Sequence, residues 1–292
     1  MKNKILLFAS LMLTLASCSK NDDPVVVPPT TSPPTSTVGD DIITTYVNLG
    51  STNIWTYDTT KAVVLPLPAA NTIGTDVLNV SGDFIANGFN YKIMTASSSS
   101  PIGGTINGFY CNQLKDNKLR IDGSSVKMSG KFKFTIGTND LEFPVNDFVI
   151  FKENAVLGTN LGTPATGSTN FFVALTPTAN LPVLVNYSIK AIAGGNAPDI
   201  TYLTNTYTNI KKVTLYISID ATTSSAAGPI QIFSSTPQDV IISTQYYSKG
   251  IGLVKAETAI KYDLNPSILA LSTAIPPKGE QNIVDFLKNK SF

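Results

Sequence analysis

The 292-residue chain contains no histidine. That absence removes the side chain most often used as a general base near neutral pH, and the commonest metal ligand. Catalysis by Ser-His-Asp or Cys-His groups and zinc sites of the Cys/His kind are therefore excluded. Cysteine is nearly absent too, occurring only at Cys18 and Cys111. With Cys18 committed to the role set out below, Cys111 has no partner for an internal disulfide. Beside Phe109 and Tyr110 it reads as a small buried side chain on a strand. Charge is scarce: 14% of residues are charged, 21 basic against 20 acidic, and no basic run exceeds Lys211-Lys212. A face basic enough to displace counterions from phosphate is missing, which excludes nucleic acid as a partner. Long apolar runs are missing as well, since the block Ile5–Leu15 is far short of the roughly 20 residues that a membrane-spanning helix requires.

What the N-terminus does contain is ordered. Met1-Lys2-Asn3-Lys4 supplies a basic start, Ile5–Leu15 an apolar core, and Ala16-Ser17 small residues before Cys18. That order is the pattern of a secretory signal peptide. Leu15-Ala16-Ser17-Cys18 resembles the lipobox of bacterial lipoproteins, which implies cleavage after Ser17, a diacylglycerol thioether on Cys18 and a fatty acid such as palmitate on the new amino group. One acyl chain binds a membrane only marginally, whereas two or three hold a protein essentially permanently. Ser19-Lys20-Asn21-Asp22-Asp23 resembles the acidic signal that follows the lipid cysteine in surface-exposed lipoproteins of Bacteroidota. The resemblance implies an outer-membrane protein anchored through Cys18, displayed on the surface or, alternatively, facing the periplasm. From Pro24 to Thr37 the chain reads PVVVPPTTSPPTST. Its prolines fix φ and favour an extended, solvated backbone that reaches on the order of 60 Å between anchor and domain. The organisation expected is a signal peptide over 1–17, a lipidated cysteine and linker over 18–40, and one domain over 41–292.

That domain reads as all-β, a large antiparallel curved sheet or half-barrel. Val213, Leu215, Ile217 and Ile219 alternate with Thr214, Tyr216, Ser218 and Asp220, as a strand with one buried face requires. The same alternation predicts strands at Ile42–Asn48, Ile54–Tyr57, Asp76–Val80, Lys131–Ile136, Phe148–Lys152, Phe171–Thr176, Val183–Ile192, Ile230–Ser234, Val240–Tyr247 and Leu253–Tyr262. Asn87-Gly88 and Asp122-Gly123 mark hairpin turns, and Asn107-Gly108 is a third candidate. The loop Gly158–Asn170 is the best place for an internal division. Only Glu280–Lys288 carries a helical spacing, with Ile283, Phe286 and Leu287 on one face, so a short terminal helix or a closing strand is expected there.

Two further elements are similar to a β-rich domain of many lipoproteins and secreted proteins. Tyr246, Tyr247, Gly250, Gly252, Val254, Lys255 and Glu257 match its closing pattern, and Tyr46, Asn48, Leu49, Gly50, Trp55 and Tyr57 its opening one. The likeness implies an antiparallel half-barrel and carries no activity. Gly250 and Gly252 interrupt a strand and permit a bulge, with the two tyrosines before them on opposite faces.

The one acid/base device that this composition leaves is a pair of carboxylates. Glu142, Asp147, Glu153, Asp239, Glu257 and Asp263 are the candidates, none of them in a recognisable motif, so no catalytic residue is assigned and the chain reads as a non-enzyme. Trp55, in an alternating strand, reads as a core anchor rather than a sugar-stacking platform. Thr138-Asn139-Asp140 and Asp263-Leu264-Asn265 lack the spacing of a calcium loop, so no metal and no cofactor is assigned. The function expected is a membrane-anchored binding module for a glycan, lipid or protein ligand. A structural lipoprotein that docks a partner protein is the alternative, and a carboxylate-based hydrolase the third reading.

Overall fold

The computed structural model describes residues 46–98, 108–136, 139–176, 179–225, 228–269 and 276–292. The signal peptide, Cys18, the linker and Thr138 lie outside them. Gly39–Phe292 forms one compact unit.

Period-two alternation builds strands along nearly the whole unit. In chain order these are β1 (Ile54–Leu65), β2 (Thr72–Ala86), β3 (Phe89–Ser98), β4 (Lys118–Asp122), β5 (Ser125–Ile136), β6 (Asn139–Lys152), β7 (Ala165–Thr176) and β8 (Ala179–Ala197). There follow β9 (Ile200–Tyr202), β10 (Asn205–Tyr207), β11 (Ile210–Ser225), β12 (Gly228–Gln231), β13 (Gln238–Ser248), β14 (Gly252–Asp263) and β15 (Lys278–Ser291). All but β9 and β10 join one 13-stranded sheet in the order β6-β5-β4-β3-β2-β1-β15-β14-β13-β11-β8-β7, with β12 on β11. The ladders are antiparallel, and β15 lies between β1 and β14, so the last strand splices the first half of the chain to the second.

The sheet curls until its two ends nearly meet. Tyr187 of β8 crosses from one end to the other: its ring lies 4.7 Å from that of Phe143 on β6, and its hydroxyl donates to the Pro144 carbonyl at 3.2 Å. Gly167, opposite Tyr187 on β7, makes room for that ring, since a Cβ there would stand 2.5 Å from the Tyr187 hydroxyl. The result is an all-β domain whose single sheet is almost a closed barrel, as the alternation predicts.

The interior is filled. Helix α1 (Phe109–Leu114) buries Phe109, Tyr110, Cys111, Gln113 and Leu114 against the inner wall. Around it stand the inward side chains of both halves, including Val213, Leu215, Ile217 and Ile219, with Tyr57, Phe132, Phe143, Phe151 and Tyr247 among the largest. The opening and closing elements touch. Trp55 donates its indole N–H to the Ile251 carbonyl at 2.8 Å, and the Tyr57 hydroxyl donates to the Leu253 carbonyl at 3.1 Å. Both acceptors sit beside Gly250 and Gly252, whose φ values of 75° and 100° favour glycine. The ladder shifts register between Tyr246 and Tyr247, with Val254 the extra residue on β14, and the alternation of β13 puts the two tyrosines on opposite faces, Tyr247 inward.

Several expectations are corrected. At Glu280–Lys288, where a terminal helix or a closing strand was expected, the closing strand holds and only the helical alternative falls: Ile283, Asp285 and Leu287 are buried alternately, and ladders on both sides override a weak helical spacing. Cys111 is buried but helical, because α1 begins directly after Gly108; the turn candidate Asn107-Gly108 lies partly outside the described residues. Residues 46–48, the described part of the Ile42–Asn48 candidate, are not strand, and β12 ends at Gln231, short of Ser234. Gly158–Asn170 divides nothing: from Ala165 it is already β7. Asn87-Gly88 does turn the β2–β3 hairpin with φ of 52° and 78°, and the β4–β5 turn uses Gly123 at 57°.

Trp55 couples packing to a hydrogen bond across the join of the two halves. Trp55→Ala is expected to lower stability by about 3–5 kcal/mol, and Trp55→Phe by only about 1–2 kcal/mol through loss of the donor. Urea denaturation followed by circular dichroism reads both.

Candidate functional site

Two regions concentrate polar groups, one inside the sheet and one at its rim. The inner region begins with β1, β2 and β15, which lie side by side and point Thr59, Asp76 and Asp285 into the core. Asp76 Oδ2 accepts the Gly108 backbone N–H at 2.6 Å, and Asp285 Oδ2 accepts that of Tyr110 at 3.5 Å. Thr59 Oγ1 donates to Asp285 Oδ1 at 2.8 Å. The first turn of α1, whose N–H groups have no partner within the helix, is thus held by two wall carboxylates. Gly108 is what lets them converge: a Cβ on it would stand 2.3 Å from Asp285 Oδ1 and 3.0 Å from both Asp76 Oδ2 and Thr59 Oγ1.

Burial dominates the electrostatics there. It pushes the Asp285 carboxyl up to about 7; the bonds from Thr59 and Tyr110 oppose the shift, and the neighbouring Asp76 adds to it. Burial likewise pushes the Cys111 thiol well up, with Asp285 and Asp76 adding to it, so Cys111 is held in its neutral form. Further in, the Tyr247 hydroxyl donates to Gln245 Oε1 at 2.7 Å, Gln245 Nε2 donates to Gln113 Oε1 at 3.4 Å, and the Ser243 and Thr258 hydroxyls hydrogen-bond to each other at 2.8 Å. Among the described residues, every buried side-chain polar atom has a partner. This is a closed network around α1, which rigidifies a core rather than receiving a ligand.

The rim region is a cleft of about 570 Å³ where β1 ends, β13 begins, β14 ends and β15 begins. Leu65, Gln238, Asp239, Tyr262, Asp263 and Glu280 are among its walls. Tyr262 faces Gly279 across the ladder, and its ring lies over that glycine: a Cβ at Gly279 would stand 2.2 Å from Tyr262 Cε1. The Gln238 amide locks the backbone beside it, accepting from the Asp263 N–H at 2.9 Å and donating to the Asp263 carbonyl at 3.4 Å. Lys278 pairs with Asp263 at 2.7 Å, and the Ser218 hydroxyl donates to Asp239. A second cleft of about 480 Å³ lies where the sheet ends approach, lined by Lys131, Glu142, Pro144, Ser168 and Thr169 among others.

The six acids singled out in the sequence are dispersed. Only Asp239 and Asp263 share a cleft. Glu142 pairs with Lys131 at 2.6 Å and Glu257 with Lys255 at 2.7 Å, the latter also accepting from the Tyr246 hydroxyl at 2.9 Å. Asp147 receives Arg120 through Nε at 3.0 Å and Nη2 at 2.6 Å, and Tyr91 at 2.8 Å; these bonds hold its carboxyl down at about 2. The Glu153 carbonyl accepts from Lys211. Trp55 is buried, the core anchor expected of it. Asp76 and Asp285, the two buried carboxylates that meet at α1, were not among the candidates. Their signal was phase: Asp76 alternates with Leu78 and Val80, and Asp285 with Ile283 and Leu287.

No protein-family model matches the chain, and no curated protein matches it. Among solved structures, a protein with a YmcC-like fold from Bacteroides fragilis, described as exported, aligns with 85% of this chain and 100% of its own at 9% identity and a TM-score of 0.41. That likeness is too distant to bear on function.

A carboxyl raised in the fold binds a proton that the unfolded chain has already released. Stability is therefore expected to be highest near pH 4–5 and to fall as pH rises through about 7, by on the order of a few kcal/mol. Below about pH 4 the Asp147 carboxyl, held low in the fold, works in the opposite direction. Asp285→Asn is expected to flatten the decline and to raise the urea midpoint at about pH 8 above that of the parent chain.

Proposed function

We propose that the chain is an outer-membrane lipoprotein, acylated on Cys18 and displayed on the cell surface, whose β-domain binds a glycan at the rim cleft. The observation that carries this reading is the Tyr262 ring pinned over Gly279 beside Asp239, Asp263 and Glu280. Sugar recognition needs an aromatic edge or face next to carboxylate and amide groups that are already oriented, and an open cleft several hundred Å³ in volume admits a ligand of that size. A filled interior supports binding at the rim rather than in a lipid-carrying lumen. The cleft also stands at the end of the sheet opposite Tyr46, the residue nearest the linker that the structure describes: Tyr46 packs on Phe151 at 5.3 Å, at the far end of β6 and near the close of β13. A tether joining at that end leaves the cleft directed outward.

The assembly reading has one observation in its favour. No charged residue occurs between Glu153 and Lys190, so β7, at the end of the sheet order, lacks the lysines that usually protect an edge strand from pairing. Under that reading, mild-detergent pull-down recovers one stoichiometric partner, and Tyr262→Ala leaves it bound.

Three measurements test the proposal. Labelled palmitate should enter the parent chain and not Cys18→Ser, and protease added to intact cells should remove the domain. On carbohydrate arrays the purified chain should retain a restricted set of glycans, and Tyr262→Ala should weaken retention on the order of tenfold or more. Retention that is identical in parent and Tyr262→Ala, or absent from both, rejects the cleft.

A further inference from the structure

The β2–β3 hairpin continues past the rest of its sheet neighbourhood. Asn79 of β2 is level with Ile54, the first residue of β1, yet β2 runs on to Ala86 and pairs there with β3 alone, after a bulge between Val80 and Gly82. The projecting tip is apolar: Ile85 is 75% exposed and Phe89 46%, and Phe84, next to Ile85 on β2, is exposed too. Lys118 Nζ sits 3.4 Å from the centre of the Phe84 ring, and Arg120 Cζ 4.1 Å from that of Phe89. The pattern repeats on the neighbouring C-terminus, where Phe292 is exposed and Lys290 Nζ lies 4.3 Å above its ring. Phe292 itself leans on Trp55 at the start of β1, so both spots occupy the same end of the sheet. Tyr46, nearest the linker, occupies that end as well.

An aromatic or aliphatic tip with an ammonium just above it matches the boundary between acyl chains and phosphates: the ring enters the apolar layer and the lysine stays among the headgroups. Of these three ring-stacked cations Arg120 is already engaged by Asp147, which leaves Lys118 and Lys290 to meet anions. The opposite rim carries Asp239, Asp263 and Glu280 in its cleft together with Lys261 and Lys278, the latter paired with Asp263, so it offers an anionic surface no excess of positive charge. Tyr46, the first described residue on the linker side, stands at the apolar end of the sheet, not at the acidic one.

We propose that this rim, led by Ile85, Phe84 and Phe89 and flanked by Lys118 and Lys290, rests on the anionic lipid surface that holds the Cys18 anchor. The inference rests on the lipoprotein reading above and adds an orientation to it: the domain is seated on the bilayer rather than swinging freely on its linker, and the glycan cleft faces away from the lipid.

The test uses the full chain carrying Cys18→Ser, so that no acyl chain contributes, and vesicles of phosphatidylethanolamine with phosphatidylglycerol or of phosphatidylcholine alone. Sedimentation should show partitioning onto the anionic vesicles that weakens with salt. Ile85→Ser with Phe89→Ser should lower the partition coefficient on the order of tenfold. Lys118→Gln with Lys290→Gln should erase the preference for phosphatidylglycerol. Leu67→Ser with Ile73→Ser, whose parent side chains are 77% and 69% exposed at the opposite rim, should change nothing. The proposal is overturned if the Cys18→Ser chain ignores both vesicle types, if the Leu67/Ile73 pair matters as much as the hairpin pair, or if light scattering shows the hairpin pair turning a dimer into a monomer, which would give the surface to a second copy. Failure of the anchor reading looks different: palmitate is not incorporated, while partitioning onto vesicles persists.

Discussion

Two carboxylates that water does not reach hold the helix around which the sheet curls. Asp76 and Asp285 come from strands separated by most of the chain, yet both end on the first turn of α1, and Thr59 between them completes the set. An antiparallel sheet of this length needs something to curve around, because an open sheet with an empty concave face would expose its apolar side chains to solvent. The six residues of α1 supply that filling, and the backbone N–H groups that such a short helix leaves unpaired become the reason for placing acids in the core. The cost is electrostatic, since two acidic groups near one another in a low-dielectric interior cannot both be ionised without penalty.

Away from this core, several acids and bases pair between strands. Arg120 shows how: one guanidinium spans Asp147 and Asp122 while stacking over Phe89. Such arrangements fasten strands to one another. What remains distinctive is the difference between the two rims. One carries rings with cations above them, the other a cleft with carboxylates and a fixed tyrosine, and a domain built this way has a direction.

Much of the architecture was legible in the amino-acid order, for a physical reason: each strand has one buried face, so alternation survives in the sequence whatever the strand pairs with. Val213 to Ile219 and the Asn87-Gly88 turn are read correctly on that ground alone. Glu280–Lys288 was ambiguous because Ile283, Phe286 and Leu287 satisfy a helical spacing while Ile283, Asp285 and Leu287 satisfy a strand; only the ladders to β1 and β14 decide, and those depend on distant residues. The same ambiguity concealed Asp285, since an acid at a core position looks like an error until its partner is known. Helix α1 is too short for a periodic pattern, and its place follows from Gly108 fitting between side chains from β1, β2 and β15. The rim cleft was illegible for a simpler cause, its walls being drawn from strand ends far apart in the chain.

The meeting of the sheet's ends has a mechanical consequence. Along β6 and β7 the circumference is joined by a tyrosine leaning across a glycine, with a phenylalanine and a proline carbonyl to receive it, whereas every neighbouring boundary is stitched by a ladder of main-chain bonds. A wall fastened in that manner can widen by turning one side chain, without unzipping any strand. Swelling of the domain, and any threading of a foreign strand into it, would therefore start at Tyr187.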